Sequence, residues 1–480
     1  MNTVMRSNPH ACHQRLPALS RREMLCQSGL GLGALALGDL LGRDALSAPT
    51  IDPLAAREPH FEAKAKNVIF LFMQGGPSHL ETFDPKPALT KHAGGLLPEE
   101  FREFDLAQTN TADGTILAPQ FEFQKHGESG LEISSIFSEL TAHADKLAVI
   151  RSCYHDLFIH GSALTIMNSG TRLLGHPSVG AWILYGLGSE TDNLPSYVAM
   201  TDSMFRNGSA TFSSGFLPAI YQGTYLRTQG APIKNLKRSG TVDQQTQRLL
   251  LDQVREWNQR HLDRRPGDSR LDARIANYEL AYRMQSAAPE LTDMSAETEE
   301  TRSLYGIDKD PSAAFGTMCL MARRMVERGV RYIHLVNTDW DAHGACKSNH
   351  ESQAKKVDRP IAGLITDLER LGLLESTLIV WAGEFGRTPI RQGGDGRDHH
   401  PYGFSSWMAG GGIRGGKVIG ATDDLGFHAV EDKVHVNDLH ATMLSLLGLN
   451  HEELTFLFEG REQRLTDVGG DNDLASRLIS

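Results

Sequence analysis

Six short apolar runs, spaced along 480 residues and separated by helix-patterned stretches, constrain this chain more than any other feature. The runs are "NVIFLFMQGG" (Asn67 to Gly76), "KLAVIRS" (Lys146 to Ser152), "SYVAMTD" (Ser196 to Asp202), "VRYIHLV" (Val330 to Val336), "TLIVWAG" (Thr377 to Gly383) and "SSWMAGG" (Ser405 to Gly411). Their lack of polar alternation predicts strands buried on both faces. Before the run at 330, Phe315, Met318, Ala322, Met325 and Val326 fall on one helical face, and before the run at 377, Ile361, Leu364, Ile365, Leu368 and Leu371 do the same. Alternating strand and helix predict an α/β fold, a mostly parallel central sheet with helices on both faces. Residues from about 240 to 305 are charged, helix-favouring and nearly free of strand signals, which predicts a helical insertion.

The N-terminal segment reads as an address. Arg21 and Arg22 are followed by Leu25 and a glycine-broken apolar run ending near Leu41, a pattern resembling a twin-arginine export signal. This divides the chain into a signal segment (1–48), a polar, proline-containing linker (49–66), the main domain (67–450) and a C-terminal tail (451–480). Beyond the signal segment no stretch is apolar for long enough to span a membrane. The expected localisation is the periplasm or cell surface. A formal charge of −11 disfavours nucleic acid as a partner, because phosphate recognition needs an excess of Lys and Arg. Of five cysteines, Cys153, Cys319 and Cys346 lie beyond the signal segment, and no C-x-x-C pair suggests a zinc ribbon.

Groups suited to metal binding recur at the carboxyl ends of the strand runs, where open α/β sheets bind ligands. Gln74, Ser78, His79 and Asp84 follow the first run. His155, Asp156 and His160 follow the second, with Ser162 close behind. "NTDWDAHG" supplies Asp339, Asp341 and His343; "GEFGRTP" supplies Glu384 and Arg387; "GRDHHPYG" supplies Arg397, Asp398, His399 and His400. Histidine and carboxylate together suit zinc or another transition metal. Neither a G-x-x-x-x-G-K-[ST] phosphate loop nor a G-x-S-x-G nucleophile elbow is present. The glycines at 410–412 and 415–416 read as turns.

Taken together, "FLFMQGGPSHLETFDPKP", "WDAHG", "IVWAGEFGRTP", "GRDHHP" and the closing "VNDLHATMLSLLGL" resemble the secreted bacterial family known as domain of unknown function 1501, of the alkaline phosphatase and sulfatase superfamily. The resemblance runs from about Asn67 to Leu449 and implies an alkaline-phosphatase-like fold with one or two divalent metal ions. It also implies residue roles. Asp341, His343 and His399 resemble the ligands of one metal. Glu384 stands where an acidic ligand of the other is expected, with Phe385 at the usual histidine position. Gln74 occupies the first strand end, where a catalytic member presents Asp, and His155 is a further candidate ligand. His160 falls near the place of the nucleophile, with Ser162 beside it, and no sulfatase C-x-[PA]-x-R signature is present. Arg387 or Arg397 is expected to pair with an anionic ester. Two functions follow: an exported metal-dependent hydrolase of phosphate or sulfate esters, or a catalytically degenerate metal-binding or assembly protein that kept the fold. The sequence leaves the oligomeric state open.

Overall fold

A computed structural model describes residues 53–101, 114–228, 240–264, 269–467, 469–470 and 473–479, with isolated positions between 229 and 239. The segment with Arg21 and Arg22, read above as resembling an export signal, lies outside the described residues. Among the described residues, no helix is long and apolar enough to cross a membrane.

The strands that matter for the site are β1 (Asn67–Met73), β2 (Ala148–Tyr154), β3 (Tyr197–Thr201), β4 (Thr224–Tyr225), β5 (Tyr332–Asn337), β6 (Thr377–Ala382), β7 (Gly386–Gln392), β8 (Gly396–His400), β9 (Phe404–Ala409), β10 (Lys417–Ile419) and β11 (Val434–His435). A nine-stranded sheet runs β10-β2-β9-β6-β1-β5-β3-β4, with β11 also paired to β2. The central strand β1 is parallel to both neighbours, Val68 lying opposite Tyr332 on β5 and Leu378 on β6. Only β9 runs against the rest, antiparallel to both β6 and β2. The four strands near Asn67, Lys146, Val330 and Thr377 therefore share one sheet, but β2 is not an immediate neighbour of the other three. Antiparallel β9 stands between β2 and β6, an order that apolar patterning alone does not encode.

The seven main helices are α1 (His160–Ser169), α2 (Val179–Leu187), α3 (Gln244–Asp263), α4 (Ser269–Thr292), α5 (Ala313–Val326), α6 (Cys346–Arg370) and α7 (Val436–Leu446). Strand alternation sends Ile69, Leu71 and Met73 to one face of the sheet, where they meet Met318, Cys319 and Ala322 of α5 and Leu364, Ile365 and Leu368 of α6. Val68, Phe70 and Phe72 face the other way, onto Trp182 and Ile183 of α2 and Leu439 and Met443 of α7. Both faces are thus covered, which is why the strand runs carry no polar alternation. The predicted insertion forms α3 and α4 and the helix Glu299–Tyr305. Arg248 joins α3 to Glu279 on α4 at 2.7 Å, and α3 buries none of its residues.

The chain flanking the main domain is docked on it. Ala65 N–H donates to Leu446 O at 2.9 Å, and Leu454, Leu465, Leu474 and Leu478 are buried in the same core as α2 and α7. Cys153, Cys319 and Cys346 are buried free thiols.

Candidate metal centre

The turn after β1 decides how closely the next loops approach. Gly75 has φ +121, and a Cβ there would lie 2.6 Å from the backbone nitrogens of Trp340 and Asp341. Only glycine lets the loop after β5 sit against this turn. That loop is anchored by buried Trp340, whose Nε1–H donates to Asn337 Oδ1 at 2.7 Å. Asp341 and His343 then follow two residues apart. A second glycine brings in the third element: at Gly396 a Cβ would fall 2.0 Å from His343 O. The β7–β8 hairpin can therefore lie against His343 and deliver His399, two strand positions after Arg397 with a register shift between them. His160 opens α1, directly after β2 and its loop.

Four donors from these separate elements converge. Ligand atoms of His160, Asp341, His343 and His399 all lie within 4.8 Å of one another. His343 Nε2 is 2.9 Å from Asp341 Oδ1 and 2.9 Å from His399 Nε2. His399 Nε2 is 3.3 Å from the same carboxylate oxygen, and His160 Nε2 is 3.0 Å from Asp341 Oδ2. Donors about 2.1 Å from a tetrahedral ion stand roughly 3.4 Å apart, so three imidazoles and a carboxylate at these separations suit zinc-type coordination.

The surroundings orient each donor. His399 Nδ1–H donates to Phe158 O at 2.9 Å, which leaves Nε2 for the cluster. His160 Nδ1 lies 2.6 Å from Glu384 Oε1. Glu384 is buried, and its carboxylate also accepts Gly75 N–H at 2.9 and 3.0 Å. Burial works against charge on Asp341, but its hydrogen bond with His160 and the Arg387 guanidinium outweigh it and hold its carboxyl far below the usual range. Burial likewise lowers His160, yet the Asp341 and Glu384 carboxylates outweigh it and raise its pKa. For His399, burial prevails, aided by the charge of Arg387, and its pKa is lowered.

The structure sorts the residues expected from sequence into different places. Asp341, His343 and His399 meet as the resemblance implies. His160, expected near the place of the nucleophile, lies with them, its Nε2 3.0 Å from Asp341 Oδ2. Glu384 lies one residue further out, behind His160. His155 stands apart because both its ring nitrogens are used: Nδ1 accepts Leu157 N–H at 3.0 Å and Nε2 meets Glu384 O. Burial pushes its pKa down to about 4. Gln74 spends its amide on the loop after β3, Nε2–H donating to Met204 O at 3.2 Å and Oε1 accepting Arg206 N–H at 3.0 Å. Ser162 Oγ–H donates to Ile159 O at 3.0 Å.

Neither arginine expected to meet a substrate faces the opening. Arg387 is fully buried and donates to Gly76 O at 2.8 Å, to Gly75 O, and to Asp341 Oδ1 at 2.8 Å. Arg397 is fully buried against Glu81 at 2.8 Å. The arginine that sequence reasoning missed is Arg206. Its guanidinium is partly exposed and reaches Asp341 Oδ2 at 3.3 Å. It sits in a loop without a metal-type motif, so nothing in the sequence around it marked it.

The family described as "Protein of unknown function (DUF1501)" matches residues 65–476. No curated protein matches the chain. Among solved structures, the chain is similar to a sulfatase from Pseudoalteromonas sp., at 12% identity over 88% of this chain and 72% of that one, with a TM-score of 0.35. It is also similar to the lipoteichoic acid synthase LtaP from Listeria monocytogenes, at 9% identity over 87% and 78%, TM-score 0.36. A third is the alkaline phosphatase from the Antarctic bacterium TAB5, at 10% identity over 81% and 99%, TM-score 0.34. At these identities and scores the likenesses say nothing of ligand or activity.

Proposed function

The chain belongs to the DUF1501 family of proteins of unknown function, and from that premise we propose that it is an exported, metal-dependent hydrolase of phosphate or sulfate esters. The observation that carries this is the convergence of His160, Asp341, His343 and His399 from three separate segments, with Arg206 beside them. A divalent ion held there would act as a Lewis acid on an ester oxygen and lower the pKa of a bound water.

The chain's own residues divide the remaining work. Asp341 and the three histidines bind the ion. Glu384 and the Phe158 carbonyl orient His160 and His399, and Arg387 fixes Asp341 from the buried side. Arg206 is positioned to grip an anionic oxygen, and Gln74 holds the backbone that carries it. Water is the proposed nucleophile, since the Ser162 hydroxyl is turned onto Ile159 O. That same serine geometry favours the second reading, a metal-binding relative without hydrolysis. Export rests on Arg21 and Arg22; the double variant Arg21→Lys, Arg22→Lys is expected to accumulate as cytoplasmic precursor, and undiminished export would remove that part.

Metal analysis of the purified protein, followed by assays on p-nitrophenyl phosphate and p-nitrophenyl sulfate with the metal restored, tests the proposal. Metal-dependent release of nitrophenolate, abolished in His343→Ala, is expected. Stoichiometric metal without turnover of either ester selects the second reading, and no bound metal overturns both.

A further inference from the structure

The large apolar side chains most open to solvent stand on two segments that meet at the metal cluster. Among the described residues the three most exposed are Leu174 at 74%, Ile159 at 73% and Met204 at 71%. Ile159 immediately precedes His160, and Met204 is two residues before Arg206. His160 Nε2 and Arg206 Nη2 reach the same oxygen, Asp341 Oδ2, at 3.0 and 3.3 Å. Two different segments therefore bring an exposed apolar residue to one opening. A single exposed apolar residue is ordinary, but a group of them at an opening marks a place for an apolar ligand.

The fold ties these segments together. Gln74 Nε2–H donates to Met204 O at 3.2 Å, and Asn207 Nδ2–H donates to Gly161 O at 2.8 Å and to Thr165 Oγ1 at 3.1 Å. Asn207 also lines a cleft of about 160 Å³ between α1 and this loop, with Leu173 and Leu174 among its walls. The polar residues that α1 contributes to the cleft are satisfied within the helix. Thr165, Asn168 and Ser169 donate to Gly161 O, Leu164 O and Thr165 O at 2.7, 2.7 and 2.8 Å. The cleft is smaller than the roughly 300–1,000 Å³ of an ordinary small-molecule pocket, which suits a slender chain. Aliphatic and thioether side chains offer no flat face on which a ring could stack, and methionine adapts to a flexible neighbour.

We infer that the ester taken at the metal cluster carries an alkyl chain. Its anionic head lies at the cluster and Arg206, and its chain leaves over Ile159 and Met204 toward the cleft at Leu173 and Leu174. For the head this rests on the proposed hydrolase reading; what it adds is the chemistry of the alcohol.

Calorimetric titrations of the zinc-loaded full chain with methylphosphonate and octylphosphonate, whose shared head cannot be hydrolysed, test it. Burying a methylene is worth about fourfold in affinity, so shielding about three of those that octylphosphonate adds is expected to make it bind about sixtyfold tighter. Ile159→Ser and Met204→Ser, both at exposed positions, are each expected to weaken octylphosphonate about fourfold or more and to leave methylphosphonate within about twofold. Leu371→Ser, at an exposed apolar residue beyond the carboxyl end of α6 and so at the opposite end of the sheet, is expected to change neither. Sedimentation with phosphatidylcholine vesicles, with and without phosphatidate, separates two sources of the same chemistry. Retention only with phosphatidate makes the ester a membrane lipid, whereas octylphosphonate binding without retention makes it a soluble alkyl ester, and both support the inference. Equal affinity for the two phosphonates, equally tight octylphosphonate binding by the metal-free protein, or indifference to both serine variants would overturn the inference and leave the proposed function standing. Binding of neither phosphonate would overturn both.

Discussion

Two groups of metal-type residues lie side by side at the strand ends, and they differ in who satisfies them. In one, His160, Asp341, His343 and His399 turn their donor atoms toward each other, and Asp341 and His343 remain partly open to solvent. In the other, Gln74, His155 and Glu384 are buried and spend their polar atoms on main-chain groups. Histidine and carboxylate occur in both. What separates a ligand from a structural group is whether the fold has already provided its hydrogen-bond partner.

The sharpest way to break this contrast is to exchange the costs. Arg397 and Glu81 form a buried, fully enclosed pair, and removing one partner of such a pair costs about 3–5 kcal/mol. Arg397→Met is expected to lose that much in urea unfolding of the metal-free protein. His343→Ala, in contrast, removes a partly exposed ring and is expected to change metal-free stability by no more than about 0.5 kcal/mol. Its effect falls on zinc affinity, with a loss of about a hundredfold or more, near 2.7 kcal/mol. If His343→Ala unfolds the protein and leaves zinc affinity alone, the two groups have been assigned the wrong way round.

Glu384 tests the boundary between the groups, because it is satisfied by Gly75 and yet orients His160. Glu384→Gln is expected to lower zinc affinity by about 10–100-fold, the usual effect of an outer partner of a metal-binding histidine. Calorimetric titration with zinc checks this, and an unchanged affinity would detach Glu384 from the centre.

The contrast extends to a histidine that belongs to neither group. His334 is fully buried on β5, stacked on Phe70 at 5.1 Å, and burial pushes its pKa down to about 3 from 6.5. The folded state therefore holds it neutral while the unfolded chain protonates it below pH 6.5. Its contribution to stability is complete above that pH and is lost as pH falls toward the folded value, at about 1.4 kcal/mol per unit. His334→Leu, similar in volume, is expected to flatten the acid limb, gaining about 2 kcal/mol relative to the parent on going from pH 6.5 to about 5. Parallel acid limbs in urea titrations would refute the assignment.

Much of this architecture was legible in the sequence. Apolar runs with no alternation announced β1, β5 and β6, and the stripes at Met318–Met325 and Leu364–Leu368 announced α5 and α6. The motifs "WDAHG" and "GRDHHP" pointed, through the family resemblance, to Asp341, His343 and His399. What the chain did not disclose was mutual position. His160 is 181 residues before Asp341, and nothing local announces that its ring meets that carboxylate. The enclosure of Arg387 and Arg397 depends on carbonyls of Gly75, Gly76, Leu117 and Thr388, partners distant in sequence for residues that are charged and normally exposed. The placement of β9 between β2 and β6 is likewise a matter of strand order, not of pattern.

Gln74 gives the smallest expected effect and the finest division between the two groups. Its position after β1 is where a metal ligand was expected, but its amide brackets the loop that carries Arg206. If it is a positioning residue, Gln74→Ala leaves zinc affinity within about threefold, a difference near 0.7 kcal/mol. The loss falls on anions instead. Inorganic phosphate binding to the zinc-loaded protein is expected to weaken by about tenfold, the scale of one charge-assisted hydrogen bond from a guanidinium no longer held in place. Arg206→Ala should produce the same loss, and the double variant should add little to it, because both changes act through one side chain. Full additivity would mean that Gln74 acts on the anion independently. A large fall in zinc affinity on Gln74→Ala would return it to the group of ligands.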